Sequence, residues 1–138
     1  MKNTRPISKS RRWTARTMSG IAILFMLMDS IMKFIQPPTV VETTVALGFA
    51  EDQIYVLGIL GLLSTLLYAL PRTSVLGAVL LTAYWGGAMA THLRLDNPLF
   101  THLLFPVYLA ILAWGGIWLI NEPLRELFPF HFQKVKKD

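Results

Sequence analysis

In the stretch MLMDSIMKF, Met26 to Phe34, a carboxylate and an amine stand four residues apart inside an otherwise apolar run. On a helix, Asp29 and Lys33 share one face with the acid first, the spacing at which the two side chains meet and neutralise each other. Such a pair serves either as an internal anchor or as a polar contact and proton relay for a ligand. Few other residues offer comparable chemistry: Glu42, Tyr84, His92, Arg94, Asp96 and His102. With no cysteine, the chain has no route to thiol–disulfide exchange, iron–sulfur ligation or covalent haem attachment. His92 and His102 lack an HxxxH or HExxH spacing, so no metal is expected there. A Ser-His-Asp triad has no nucleophile elbow to support it, and no strand precedes a glycine-rich phosphate loop.

The elements that carry these residues follow from composition. Of 138 residues, 54% are hydrophobic and 15% charged, against roughly 25% charged in an average soluble domain. Mean hydropathy is +0.50. The length accommodates one domain. Net charge is +5 and comes mostly from the two ends, so the pI of 9.8 does not describe a basic surface, and nucleic acid is not expected as a partner. Four apolar runs, about 14–35, 54–70, 74–93 and 99–121, each approach the roughly 20 residues that span a bilayer. Their interiors lack the charged face of a soluble bundle. The pattern predicts an all-α, antiparallel bundle of four transmembrane helices, flanked by basic tails at 1–12 and 126–138.

Punctuation sets the boundaries. IQPPT, Ile35 to Thr39, stops the first helix, because consecutive prolines lack amide donors and push the preceding residue out of helical geometry. EDQ, Glu51 to Gln53, opens the second with acids where the helix dipole favours them. PRT at Pro71 to Thr73 and DNP at Asp96 to Pro98 are short enough to force antiparallel hairpins. Between the first two helices, TVVETTVALGFA, Thr39 to Ala50, is too short to span and fits a brief interfacial helix ending at Gly48, with Glu42 facing the polar groups.

Orientation follows from Lys and Arg. Lys2, Arg5, Lys9, Arg11, Arg12, Arg16, Arg72, Arg125, Lys134, Lys136 and Lys137 fall on one side, and only Lys33 and Arg94 on the other. The positive-inside rule puts both termini in the cytoplasm. The first apolar run meets QPPT instead of a small-residue cleavage site, so it is expected to be retained as a helix. Asp29, Lys33, Glu42, His92, Arg94, Asp96 and His102 then collect at the outer end. Pro106, which has no amide to give the carbonyl of His102, adds a free polar group at that level. A polar pocket opening toward the outer leaflet is the expectation. In the third helix, the ridges Ala78, Thr82, Gly86, Ala90 and Ala83, Gly87, Thr91 suit close helix packing or oligomer formation. Tyr84 and Trp85 fall near mid-membrane, where they serve as core or as the wall of a flat ligand slot. His131 is expected at headgroup level.

These residues resemble a family. The run from Trp13 to about Pro129 is similar to the DoxX-like family of small bacterial four-helix membrane proteins, through MLMDSIMKF, LGF at Leu47 to Phe49, and above all ALPRTSVLGAVLLTAYWGGAMATHLR at Ala69 to Arg94. The family takes its name from a membrane subunit of an archaeal thiosulfate:quinone oxidoreductase, and relatives are linked to quinone and oxidative-stress chemistry. The resemblance implies a multi-pass protein of the bacterial inner membrane, acting as an accessory or redox-associated subunit that binds quinone or another amphipathic molecule. The residues themselves nominate Asp29, Lys33, Glu42, Tyr84, His92, Arg94 and His102 as contacts. They leave open a non-catalytic scaffold that recruits a membrane or redox partner protein. A transporter fits less well, because four helices without inverted repeats leave little room for alternating access.

Topology is directly testable. Reporter fusions after Pro38, Arg72, Asn97 and Asp138 are expected to read outside, inside, outside and inside in turn, and an outward-facing Arg72 contradicts the charge argument.

Overall fold

Residues 6–129 are described by the computed structural model. Lys2, Arg5, His131, Lys134, Lys136 and Lys137 lie outside the described residues, and with them most of the C-terminal basic tail. Regular structure among the described residues is helical: α1 (Lys9–Ile35), α2 (Pro38–Ala46), α3 (Gln53–Ala69), α4 (Ser74–Arg94), a π-helical turn (Leu99–Leu103), α5 (Phe105–Ile120) and α6 (Glu122–Leu127). Among the described residues, three spans have the length and apolarity to cross a membrane: Lys9–Ile35, Ser74–Arg94 and Leu99–Ile120. Helix α3 is apolar but shorter, 17 residues or about 25 Å at 1.5 Å per residue.

Two boundaries differ from the sequence expectation. Helix α1 starts at Lys9, not near Thr14, because Ser8 caps it, its hydroxyl accepting from the Arg11 amide at 3.3 Å. The run at 99–121 is not one regular helix. Leu103 and Leu104 donate to Pro98 and Leu99, five residues back at 3.2 and 2.8 Å, and regular α-helix resumes at Phe105 with Pro106 in its first turn. Widening this turn accommodates a proline ring that would otherwise press on the carbonyl four residues earlier.

The other boundaries follow the expected punctuation. Gln36 ends α1 in left-handed geometry at φ 52, its amide on Met32 O at 2.9 Å, and Pro38 opens α2. The first turn of α3 itself holds no acid. Glu51 and Asp52 precede it, and Gln53 closes the start by accepting from the Ala50 amide at 2.9 Å.

Helix α1 packs on α3 and α5, and α4 packs on the same two. The core is apolar, but so is most of the exposed helix surface. Leu24, Leu63, Leu76 and Ile111 are exposed, while Ser30, Ser64, Thr65 and Ser74 are buried. Ser64 and Thr65 satisfy their hydroxyls on the carbonyls of Leu60 and Gly61, both at 2.7 Å, as a medium without water requires.

One end of the helices is tied tightly. Tyr68, near the end of α3, donates to the Ala113 carbonyl of α5 at 2.7 Å and shares a second hydrogen bond with Ser19 Oγ of α1 at 2.8 Å. Glycines let the backbones close around it. A Cβ at Gly77 would lie 2.1 Å from Tyr68 N, and one at Gly116 would lie 2.1 Å from Ser19 Oγ and 3.0 Å from Ala15 O. The α4 ridges expected to pack closely do otherwise. Gly86 and Gly87 have open space around them, and of both ridges only Ala78 is buried. The glycines that face a neighbouring backbone are Gly77 at the start of α4 and Gly116 on α5, whereas Gly58 and Gly61 of α3 make room for side chains of α1.

Gly77→Ala and Gly116→Ala are therefore expected to lose about 1–3 kcal/mol through overpacking. Gly86→Ala should be neutral or gain up to ~1 kcal/mol from helix propensity. Unfolding midpoints in a denaturing-detergent titration distinguish the three.

Candidate ligand cavity

At the opposite end the helices separate around a cavity of about 550 Å3. Helix α1 contributes Phe25, Met26, Asp29 and Lys33, a stripe at helical spacing. Helix α4 contributes Tyr84, Trp85, Ala88 and His92 on its facing side. From the π-helical turn and the start of α5 come Thr101, His102, Phe105 and Pro106, while Thr44, Leu47 and Phe49 of the α1–α3 connection lie across the top. Leu60, Ala83 and Gly87 both line the cavity and are exposed, so it opens laterally between α3 and α4.

Polar groups occupy two poles. At the first, Lys33 Nζ donates to Asp29 Oδ1 at 2.5 Å, and the Tyr84 hydroxyl lies 3.4 Å from Asp29 Oδ2. Lys33 is bent back onto its own helix, its stem against α3, where a Cβ at Gly58 would come within 3.2 Å of Lys33 Cβ. The side chains are 13% and 29% exposed, Lys33 and Asp29 respectively, so neither ion has full hydration and each depends on the other. Two of the three ammonium protons remain for a ligand. Beside Asp29, Ser30 Oγ is fully buried and has no hydrogen-bond partner.

At the second pole, His92 and His102 stand edge to face with ring centroids 5.5 Å apart. Asn97 Nδ2 is 2.9 Å from His92 Nδ1, and Thr101 Oγ1 is 2.8 Å from His102 Nδ1. Tyr84 and His92 are eight residues apart on α4, about 12 Å along its axis. Between the poles the walls are apolar and aromatic. Phe25 meets Phe105 edge-on at 5.0 Å, and buried Trp85 donates through Nε1 to Met26 Sδ at 3.3 Å.

Of the residues nominated from sequence, Asp29, Lys33, Tyr84, His92 and His102 line this one cavity, and Glu42 and Arg94 do not. Glu42 is exposed on α2. Arg94 reaches sideways, donating through Nη2 to Leu47 O at 2.9 Å and lying over Gly48, where a Cβ would come within 2.6 Å of Nη2 and a φ of 92 favours glycine. It fastens the segment above the cavity and does not enter it. Sequence reasoning missed Thr44, Thr101 and Asn97. Thr44 lies in the expected interfacial segment and Thr101 at the start of the expected fourth helix, where neither stands out as polar chemistry, and Asn97 reads as a turn residue, although it stands five positions after His92 at a helix end. No group of three or more metal-ligating side chains occurs among the described residues.

A sequence model described as the DoxX-like family matches residues 17–116, a span that contains every residue lining the cavity. No curated protein and no solved structure matches the chain.

The ion pair makes a quantitative demand. Asp29→Leu or Lys33→Met alone strands a partly buried charge and is expected to destabilise by on the order of 3 kcal/mol, while the double variant should cost less than either. Equal losses in single and double variants, measured by denaturing-detergent unfolding, contradict the pairing.

Proposed function

The chain belongs to the DoxX-like family, and from that premise we propose that it is a four-span membrane protein whose cavity holds a quinone or a similar amphipathic molecule. In this reading it is an accessory subunit of membrane redox chemistry, without a catalytic cycle of its own. Helix α3 crosses with α1, α4 and the α5 span, both termini are cytoplasmic, and the cavity faces the outer side of the bacterial inner membrane, as the placement of Lys and Arg supports.

One observation carries the reading: a cavity with flat apolar walls and a polar group at each end, open to the side where lipid would lie. Its volume of about 550 Å3 falls in the range of roughly 300–1,000 Å3 that small-molecule sites occupy. A quinone headgroup is flat and carries oxygen acceptors. Lys33 and the imidazole pair supply donors, Phe25, Phe105 and Trp85 supply the faces, and an isoprenoid tail leaves past Leu60 and Gly87. Asp29 and Tyr84 hold Lys33 in place and provide a path for a proton should the bound ring be reduced.

The open small-residue face of α4 favours a second reading, a scaffold that docks a partner helix against Gly86 and Gly87. Two adjacent glycines separate the readings. A Cβ at either would meet nothing within 4 Å, but only Gly87 lines the cavity. Gly87→Leu is expected to cut co-purifying quinone at least tenfold, measured by mass spectrometry after mild-detergent extraction, while Gly86→Leu retains it. Absence of quinone or any other amphipathic molecule from the wild-type protein overturns the ligand reading.

A further inference from the structure

We infer that Asn97 is a positioning residue that fixes His92 as a hydrogen-bond donor to the cavity. The inference deepens the ligand reading above, because it names the chemistry that the second pole accepts.

The backbone at the end of α4 places Asn97. Leu95 is the C-cap, Asp96 adopts left-handed geometry at φ 52, the Asp96 amide bonds Leu93 O at 3.2 Å, and the Asn97 amide bonds His92 O at 3.1 Å. This is a Schellman ending, with Asn97 at C″ and His92 at C3. In that motif an apolar contact commonly joins the C″ and C3 side chains. Here the same two positions are joined by an amide and an imidazole at 2.9 Å. Pro98 follows, and the π-helical turn brings the His102 ring edge to face with that of His92, centroids 5.5 Å apart.

Polarity follows from the amide orientation that the structure records: with Asn97 Nδ2 toward the ring at 2.9 Å, the amide donates, His92 Nδ1 accepts, and the neutral ring carries its proton on Nε2. His92 therefore offers the cavity an N–H. Lys33 offers donors at the opposite pole, its amine already turned inward by Asp29. The His92 pole thus selects a ligand with an oxygen acceptor, such as a carbonyl or phenolate oxygen, at that end of a flat apolar body. A ligand whose end groups only donate finds no acceptor on His92.

The test reads the unliganded protein. With histidine labelled by 15N in detergent micelles or nanodiscs, and the signal assigned by His92→Gln, the wild-type ring is expected to show a pyridine-type Nδ1 and a protonated Nε2 at a pH where it is neutral. Asn97→Leu keeps both backbone bonds and puts an apolar side chain where a Schellman ending ordinarily has one, so it folds. It should release His92 into a mixture of tautomers. Asn97→Asp presents only acceptors, and should move the proton to Nδ1. Loss of the single tautomer in Asn97→Leu and its reversal in Asn97→Asp sustain the inference. A wild-type ring protonated on Nδ1, or an unchanged tautomer in Asn97→Leu, overturns it. Because no ligand enters the measurement, a failure to find bound quinone counts against the proposed function alone.

Discussion

The buried side chain of Tyr68 joins α3 to the Ala113 carbonyl and to Ser19 through its hydroxyl, where neighbouring helices exclude any competing hydrogen bond. Helices in a bilayer gain nothing from removing apolar surface from water, so they must be held by close packing and by bonds of this kind. Gly77 and Gly116 let neighbouring backbones and the Ser19 side chain close on that junction. The consequence lies at the other end of the same helices. There Phe25, Trp85 and Phe105 stand between the helices, the proline in α5 forces a wider turn, and the space left over is the cavity.

That division of labour explains where charge is tolerated. Asp29 and Lys33 would be costly in a closely packed interior, and equally so against lipid. They lie at the open end, paired with each other, with Tyr84 beside the carboxylate. Arg94, by contrast, is spent on the backbone of the connecting segment, where its guanidinium covers Gly48 and holds Leu47 over the cavity. Two cations near one end of the molecule thus do different things: one faces the ligand space and the other fastens its cover.

Much of this was legible in the sequence, for physical reasons that can be named. Long apolar runs admit few alternatives to helices, and a double proline or a three-residue turn fixes where a helix must stop. Acid and amine at four-residue spacing predicted the Asp29–Lys33 contact, and antiparallel order predicted that Asp29, His92 and His102 would collect at one end of the bundle. What stayed hidden depends on three-dimensional fit. A small residue such as Gly86 reads the same whether it faces a neighbouring helix or open space. Glu42 and Arg94 sit at the right depth, but depth does not say which way a side chain turns. The polarity of His92 was hidden as well, since it depends on a helix ending whose C″ residue looks in sequence like any turn asparagine.

The central claim is that the separated end of these helices is a ligand site and not a packing defect. Photolabelling of the membrane-embedded protein with an azido-benzoquinone, followed by peptide mapping, tests it most directly. The account predicts adducts confined to the cavity walls, on the segments carrying Tyr84 to His92 and Thr101 to Phe105, and suppressed by excess unlabelled quinone. Adducts spread over the exposed belt at Leu63, Leu76 and Ile111, unaffected by competitor, would contradict it.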